Sequence, residues 1–245
     1  MKTIILFISC IIFTGIVLGQ EHEATVNEVK VTAPKFAGIE NATAILNRVK
    51  SETINEYLLK NFEYSGHQFF EGTVVVQFTV TPSGELTDFA IINSVSRQID
   101  QEMIRVLKNT EGMWIPGYSN NVPVGMTKEV SMAFYPAGNS SKSVTEIFTK
   151  KATRNFNNGN RILFEKDNPK KAMKFLCKGI NYMPYDKSLL LSRGICRFET
   201  GDKAGAHQDW ERIKTLGGFD FENSYLTDNM KELKSYNELL GIFTE

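Results

Sequence analysis

The residues of this chain that could do chemistry are three histidines, three cysteines and a scatter of carboxylates. Catalysis needs such groups to converge, as a nucleophile beside its base or as imidazole and thiolate at ligand spacing. His22, His67 and His207 stand far apart. No His-Glu-x-x-His, Gly-x-Ser-x-Gly or glycine-rich phosphate loop occurs. Glu21 and Glu23 fall in a polar N-terminal stretch. Asp100 and Glu102 stand at the start of a helix, where carboxylates complement the helix dipole. There is no Cys-x-x-Cys and no Cys/His cluster. The expectation is therefore no catalytic, cofactor-binding or metal site, and no enzyme. Trp114 and Trp210 read as core residues rather than ligand-stacking ones.

Charge narrows the partners. Lys and Arg total 28, and so do Asp and Glu. Without a basic excess, a phosphate backbone has nothing to attract it, so nucleic acid is not an expected partner. No small-molecule substrate is evident, and nothing in the sequence fixes an oligomeric state. Lys2 precedes a run from Ile4 to Leu18 that is almost wholly apolar, and Gly19-Gln20-Glu21 ends it. The run is about 15 residues, shorter than the ~20 that span a bilayer as a helix. It reads as a signal peptide (1–19) cleaved before Gln20, giving an exported protein in the periplasm or at the outer membrane. The other reading of this run is an uncleaved anchor.

The elements follow from periodicity. Residues 20–40 form a mixed N-terminal segment with strand or loop character. From Asn41 to Phe62 apolar residues recur at helical spacing, with Asn41 or Thr43 as candidate caps. Gly72–Val80 is rich in β-branched residues and reads as a strand. Thr81-Pro82-Ser83-Gly84 makes a turn, and Leu86–Ile92 returns as the second strand of a hairpin. Ile99, Met103, Val106 and Leu107 mark a second helix. Trp114-Ile-Pro-Gly and Val122-Pro123 mark loops, and Met126–Phe134 is a last strand. This order (helix, β-hairpin, helix, strand) gives an α+β domain at 41–136, its antiparallel sheet covered on one face. Gly138-Asn-Ser-Ser-Lys-Ser lies in a linker, 137–144.

Beyond the linker only helical pattern remains. At an offset of 34 residues Ala172 meets Ala206, Leu176 meets Trp210 and Asn168 meets Asp202. A helix-turn-helix period of 34 is that of tetratricopeptide repeats. Small residues at Gly194 and Ala206 let paired helices approach, and Leu176 and Trp210 fill between them. The second copy, Lys187–Leu216, is well formed. The first, Thr153–Pro184, is degraded: its Gly159 sits one residue early and its second helix carries Gly179. The expectation is an all-α helical-hairpin repeat domain at 145–218, with a capping helix region at 219–245. Cys177 and Cys196 fall on neighbouring helices of this array. A possible disulfide between them and a pair of free thiols both stay open.

Several pieces, in order, carry a resemblance. They are Pro34-Lys-Phe36-Ala-Gly38, Glu71-Gly72-Thr-Val-Val-Val-Gln-Phe-Thr-Val, Pro82-Ser-Gly84-Glu-Leu-Thr-Asp88 and Ile99-Asp100-Gln-Glu102 with Arg105-Val-Leu-Lys108. Trp114-Ile-Pro116-Gly117, Pro123-Val124 and Phe134 follow. The stretch from Val29 to Tyr135 resembles the TonB C-terminal domain family, in the form common in Bacteroidetes proteins. The resemblance implies a periplasmic domain that binds a cell-envelope protein or peptide, such as an outer-membrane receptor, by adding a strand to an exposed sheet edge. Asn61-Phe62-Glu63-Tyr64-Ser65 stands where that family carries Gln-Pro and Tyr-Pro elements, and the long Pro-rich spacer of TonB is missing.

The reading that follows is a non-catalytic, exported protein-binding adaptor of the periplasm or cell envelope that uses the TonB-like domain and the helical repeats. The alternatives are a TonB-like energy transducer, if the N-terminal run is an anchor, and a non-catalytic subunit of an envelope-biogenesis complex. Two partner-binding surfaces are expected. One is the edge strand carrying Met126, Lys128, Val130, Met132 and Phe134. The other is the inner face of the repeat helices, carrying Arg161, Phe164, Leu191, Ile195 and Phe198.

Overall fold

The computed structural model describes residues 29–38, 52–63, 70–136, 143–221 and 229–244. Its first unit is built on one long strand. β3 (Gly72–Val80) lies between β4 (Leu86–Asn93) and β8 (Met126–Phe134), antiparallel to both. Thr81–Gly84 turns β3 into β4: the Gly84 amide donates to the Thr81 carbonyl at 2.9 Å, with φ at +85°, a value that favours glycine. Val74, Val76, Phe78 and Val80 point to one face and are fully buried. Two helices cover that face. α1 (Ile54–Asn61) starts at a capping box between Thr53 and Glu56 and buries Leu58. α2 (Arg97–Lys108), capped by Ser96, buries Ile99, Met103, Val106 and Leu107. At roughly 1.5–3 kcal/mol per large apolar side chain, these residues dominate the unit's stability.

Helical spacing was expected to run from Asn41 to Phe62. Residues 39–51, with the candidate caps Asn41 and Thr43, lie outside the described residues, and the helix that is described begins after Thr53. Two segments expected as loops are short strands. β2 (Lys35–Phe36) pairs with β5 (Trp114–Ile115), and β1 (Val31–Thr32) pairs with β6 (Gly117–Ser119), which pairs with β7 (Val122–Val124). Stretches of two or three residues are too short to show a period of two, which is why the sequence hid them.

The second unit is helical. α3 (Val144–Asn160), capped by Ser143, runs through a π turn at Arg161–Glu165 to α4 (Pro169–Tyr182). α5 (Lys187–Glu199) and α6 (Lys203–Thr215) form the second hairpin, capped by Asp186 and Asp202. The two hairpins pack alike. A Cβ on Gly159 would meet the Leu176 side chain at 2.8 Å, and one on Gly194 would meet the Trp210 ring. Nine positions separate Gly159 from the Asn168 cap and eight separate Gly194 from the Asp202 cap. The π turn absorbs this extra residue, so the early glycine still reaches its partner. Residues 231–235 are turns, and helix runs from Tyr236 to Thr244 as α7. Met230 and Leu239 join the helical core.

The sheet is not left with one bare face. On the side away from α1 and α2, Val75 is fully buried and the helical unit docks. Thr73 Oγ1 donates to the Tyr182 carbonyl at 2.9 Å, and Asn181 Nδ2 donates to the Glu71 carbonyl at 3.0 Å. Lys151 pairs with Glu71. Gly72, at φ +147°, has a backbone conformation that favours glycine, and a Cβ there would also displace the Asn181 side-chain amide.

Candidate partner-binding site

β8 is an edge strand: its ladder runs to β3 along its whole length, from Gly72–Phe134 to Val80–Met126. Among the described residues, no backbone hydrogen bond from outside the sheet reaches Met126–Phe134. Its outward N–H and C=O groups are a template for another strand. The five side chains expected on its binding face are largely used by the core. Val130 is buried in it, Met132 and Phe134 pack against it, and Phe134 meets the Phe62 ring at 5.3 Å. Met126 and Lys128 are half-buried, with Met126 filling the space a Cβ on Gly117 would take. Thr127 and Ala133 are the exposed residues of the strand. What β8 offers a partner is therefore its backbone, flanked by these two side chains.

The helical unit fixes the opposite face of β8. Arg212 on α6 binds Glu129 through two parallel hydrogen bonds of 2.7 and 2.9 Å. These side chains are only 15% and 22% exposed, so solvent screens the pair weakly. Gln77 donates to the same carboxylate at 3.3 Å. The Arg212 guanidinium also lies over the Tyr185 ring, 5.5 Å from its centroid. Burial raises the Tyr185 phenol above its ordinary range, against a hydrogen bond with Ser131 that lowers it. Farther along the joint, burial works against the Lys151 ammonium, but the hydrogen bond and charge of Glu71 outweigh it and raise its pKa. The ammonium lies 5.5 and 5.4 Å from the Tyr135 and Tyr182 ring centroids.

The second expected surface changes most. Leu191 and Ile195 are fully buried, so they build the helical core and present nothing to a partner. Repeat register put them on an inner face, but the cluster that holds them also takes in Met230 and Leu239 from the C-terminal segment. Arg161 is exposed, while Phe164 and Phe198 are half-buried against that core, Phe198 stacked 5.9 Å from Trp210. Cys177 and Cys196 are both free thiols. Cys177 is exposed on α4 and Cys196 is fully buried on α5.

The scattered polar residues have structural partners. His207 meets Glu238 at 2.8 Å, fastening α7 to α6. His22 and His67 lie outside the described residues. Asp100 accepts from Ser94 Oγ at 2.5 Å. Glu102 accepts from Arg105 at 2.6 and 2.7 Å and from the Glu63 amide at 2.8 Å, and the Arg105 bonds hold its carboxyl below the usual carboxylate range. Asp209 is buried between two arginines, bound twice by Arg193 and at 2.9 Å by Arg197. Sequence reasoning missed the Glu129–Arg212 and Glu71–Lys151 joints. Their partners lie 83 and 80 residues apart, with no local pattern to reveal them.

An edge strand on a β-hairpin sheet backed by α2 is the geometry expected from the ordered motifs. Residues 67–136 match the family model of the Gram-negative bacterial TonB protein C-terminal. The match runs from before β3 to the end of β8 and covers under a third of the chain. β1 and β2 precede it, yet they pair with β6 and β5 inside it, so they belong to the same folded unit. No curated protein and no solved structure matches the chain at a significant level. The TonB-like unit supports a protein-interaction role at the cell envelope.

Proposed function

We propose that this chain is an exported, non-catalytic adaptor of the cell envelope that receives an extended segment of a partner protein along the outer edge of β8. The observation that carries this reading is the unpaired edge of Met126–Phe134 in the unit that matches the TonB C-terminal. Strand addition draws affinity from main-chain hydrogen bonds and choice from flanking side chains. Here Thr127 and Ala133 would flank the added strand. The two helical hairpins, read as degenerate tetratricopeptide-like repeats, buttress the far face of the same strand through Arg212 and Tyr185. Removal of residues 1–19 on export, and a place in the periplasm or at the outer membrane, belong to the proposal; residues 1–28 lie outside the described structure.

The test is site-specific photo-cross-linking in cells that produce the protein. A photoreactive residue at Thr127 or Ala133 is expected to capture an envelope protein. The same residue at Asp88 on the opposite edge strand, β4, is expected to capture none. Equal capture from both edges, or none from β8, would refute the reading.

A further inference from the structure

The hairpin of α3 and α4 carries a charge that the whole chain conceals. Between Val144 and Tyr182 stand nine Lys and Arg against three Asp and Glu, within a protein of zero formal net charge. Lys151 is spent on Glu71, and none of the other eight cations forms a salt bridge among the described residues. The acids do little to offset them: Glu146 is held in the Ser143 capping box, and Glu165 and Asp167 sit together at the turn between the helices. Elsewhere Arg105, Arg193, Arg197 and Arg212 are paired, while the exposed Arg97 forms no salt bridge among the described residues.

Six of the free cations gather at two open hollows on this hairpin. Lys170, Lys171, Lys174 and Lys178 ring a hollow of about 490 Å³ in which Phe175 is half-buried. Lys150 and Arg154 border another of about 460 Å³, lined also by Ile147, Lys151 and the capping Glu146. Lys170, Lys174 and Lys178 follow one another at four-residue spacing, which stacks like charges on one helical face and destabilises the helix. The stripe runs about 12 Å along the axis. An anionic surface laid against it removes that repulsion. On the export proposed above, on which this inference rests, the apolar run Ile4–Leu18 brings the chain to such a surface.

We propose that the outer face of the α3–α4 hairpin docks on anionic phospholipid headgroups, the lysines meeting the phosphates and the edge of Phe175 the headgroup boundary. The charges are spread along two helices and line shallow hollows instead of closing on one point, which suits a surface of many phosphates better than a single acidic side chain. The docking is independent of strand addition at β8.

Flotation of the full chain with vesicles tests this. Binding to phosphatidylcholine mixed with phosphatidylglycerol is expected to exceed binding to phosphatidylcholine alone, and the excess to fall as salt rises. The apolar run acts alike on both vesicle types, so it drops out of the comparison. Replacing Lys170, Lys174 and Lys178 together by Gln is expected to weaken partitioning roughly 100-fold, from about five-fold per lysine near an anionic surface. Replacing them by Arg is expected to preserve it. Replacing Lys30, Lys60 and Arg97, exposed on the other unit, by Gln removes the same charge and is expected to change partitioning far less. Equal binding to both vesicle types, equal losses from the two Gln triples, or no vesicle binding at all would overturn the proposal. The last result would leave the stripe to an acidic protein.

Discussion

The two tryptophans are both buried, yet their indole N–H groups fare differently. Trp114 donates to Thr110 Oγ1 at 2.9 Å. Trp210 Nε1 is buried with no hydrogen-bond partner among the described residues, pressed against Gly194 to fill the helical hairpin. Removing a satisfied donor loses a bond, whereas removing an orphaned one relieves a desolvated group. Trp114→Phe is therefore expected to cost about 1 kcal/mol more than Trp210→Phe beyond the shared loss of volume, read from urea denaturation. The cysteines also divide. Burial pushes the Cys196 thiol up to about 12, so at neutral pH it is protonated and enclosed. Peptide mapping after maleimide treatment is expected to find Cys177 labelled in the folded protein and Cys196 only after unfolding. Equal labelling of both would contradict the packing. That both tryptophans are core was legible in the sequence. Which of them had a donor's partner was not, because Thr110 lies in a loop of ordinary appearance.

At the scale of elements, long periodic stretches were readable and short or compensated ones were not. β3, β4, α2 and β8 each repeat their pattern over eight residues or more, and each stands where the pattern puts it. β5 and β2 carry two residues each, and only their pairing across the chain reveals them as strands. The early Gly159 was visible as an irregularity, but its remedy, the π turn, depends on backbone hydrogen bonds that no residue type announces. If the turn exists to absorb one residue, deleting the exposed Arg161 should restore the spacing of the second hairpin. The thermal midpoint of the deletion variant is expected to stay near that of the parent. A deletion that unfolds the helical unit would contradict this account. The candidate site divides in the same way. The β8 edge follows from strand order, whereas Leu191 and Ile195 on the expected inner face are enclosed in a core that the C-terminal capping region also enters through Met230 and Leu239.

At the scale of the whole molecule, the helical unit braces the sheet. Glu129 links the two, since it lies on the edge strand and is bound by Arg212. Arg212→Ala is expected to loosen the docking while leaving each unit folded, and a double-mutant cycle with Glu129→Ala is expected to give a coupling of about 1–3 kcal/mol. A coupling near zero would mean that the Glu129–Arg212 pair does not hold the units together. The bracing bears on function because it stiffens the strand while leaving its outer edge open. The decisive measurement is amide hydrogen exchange along Met126–Phe134, with and without the partner captured by cross-linking. Slowed exchange on β8 is expected when the partner binds, with β4 unchanged. Protection confined to β4 or to the helical hairpins, with β8 exchanging as before, would contradict it.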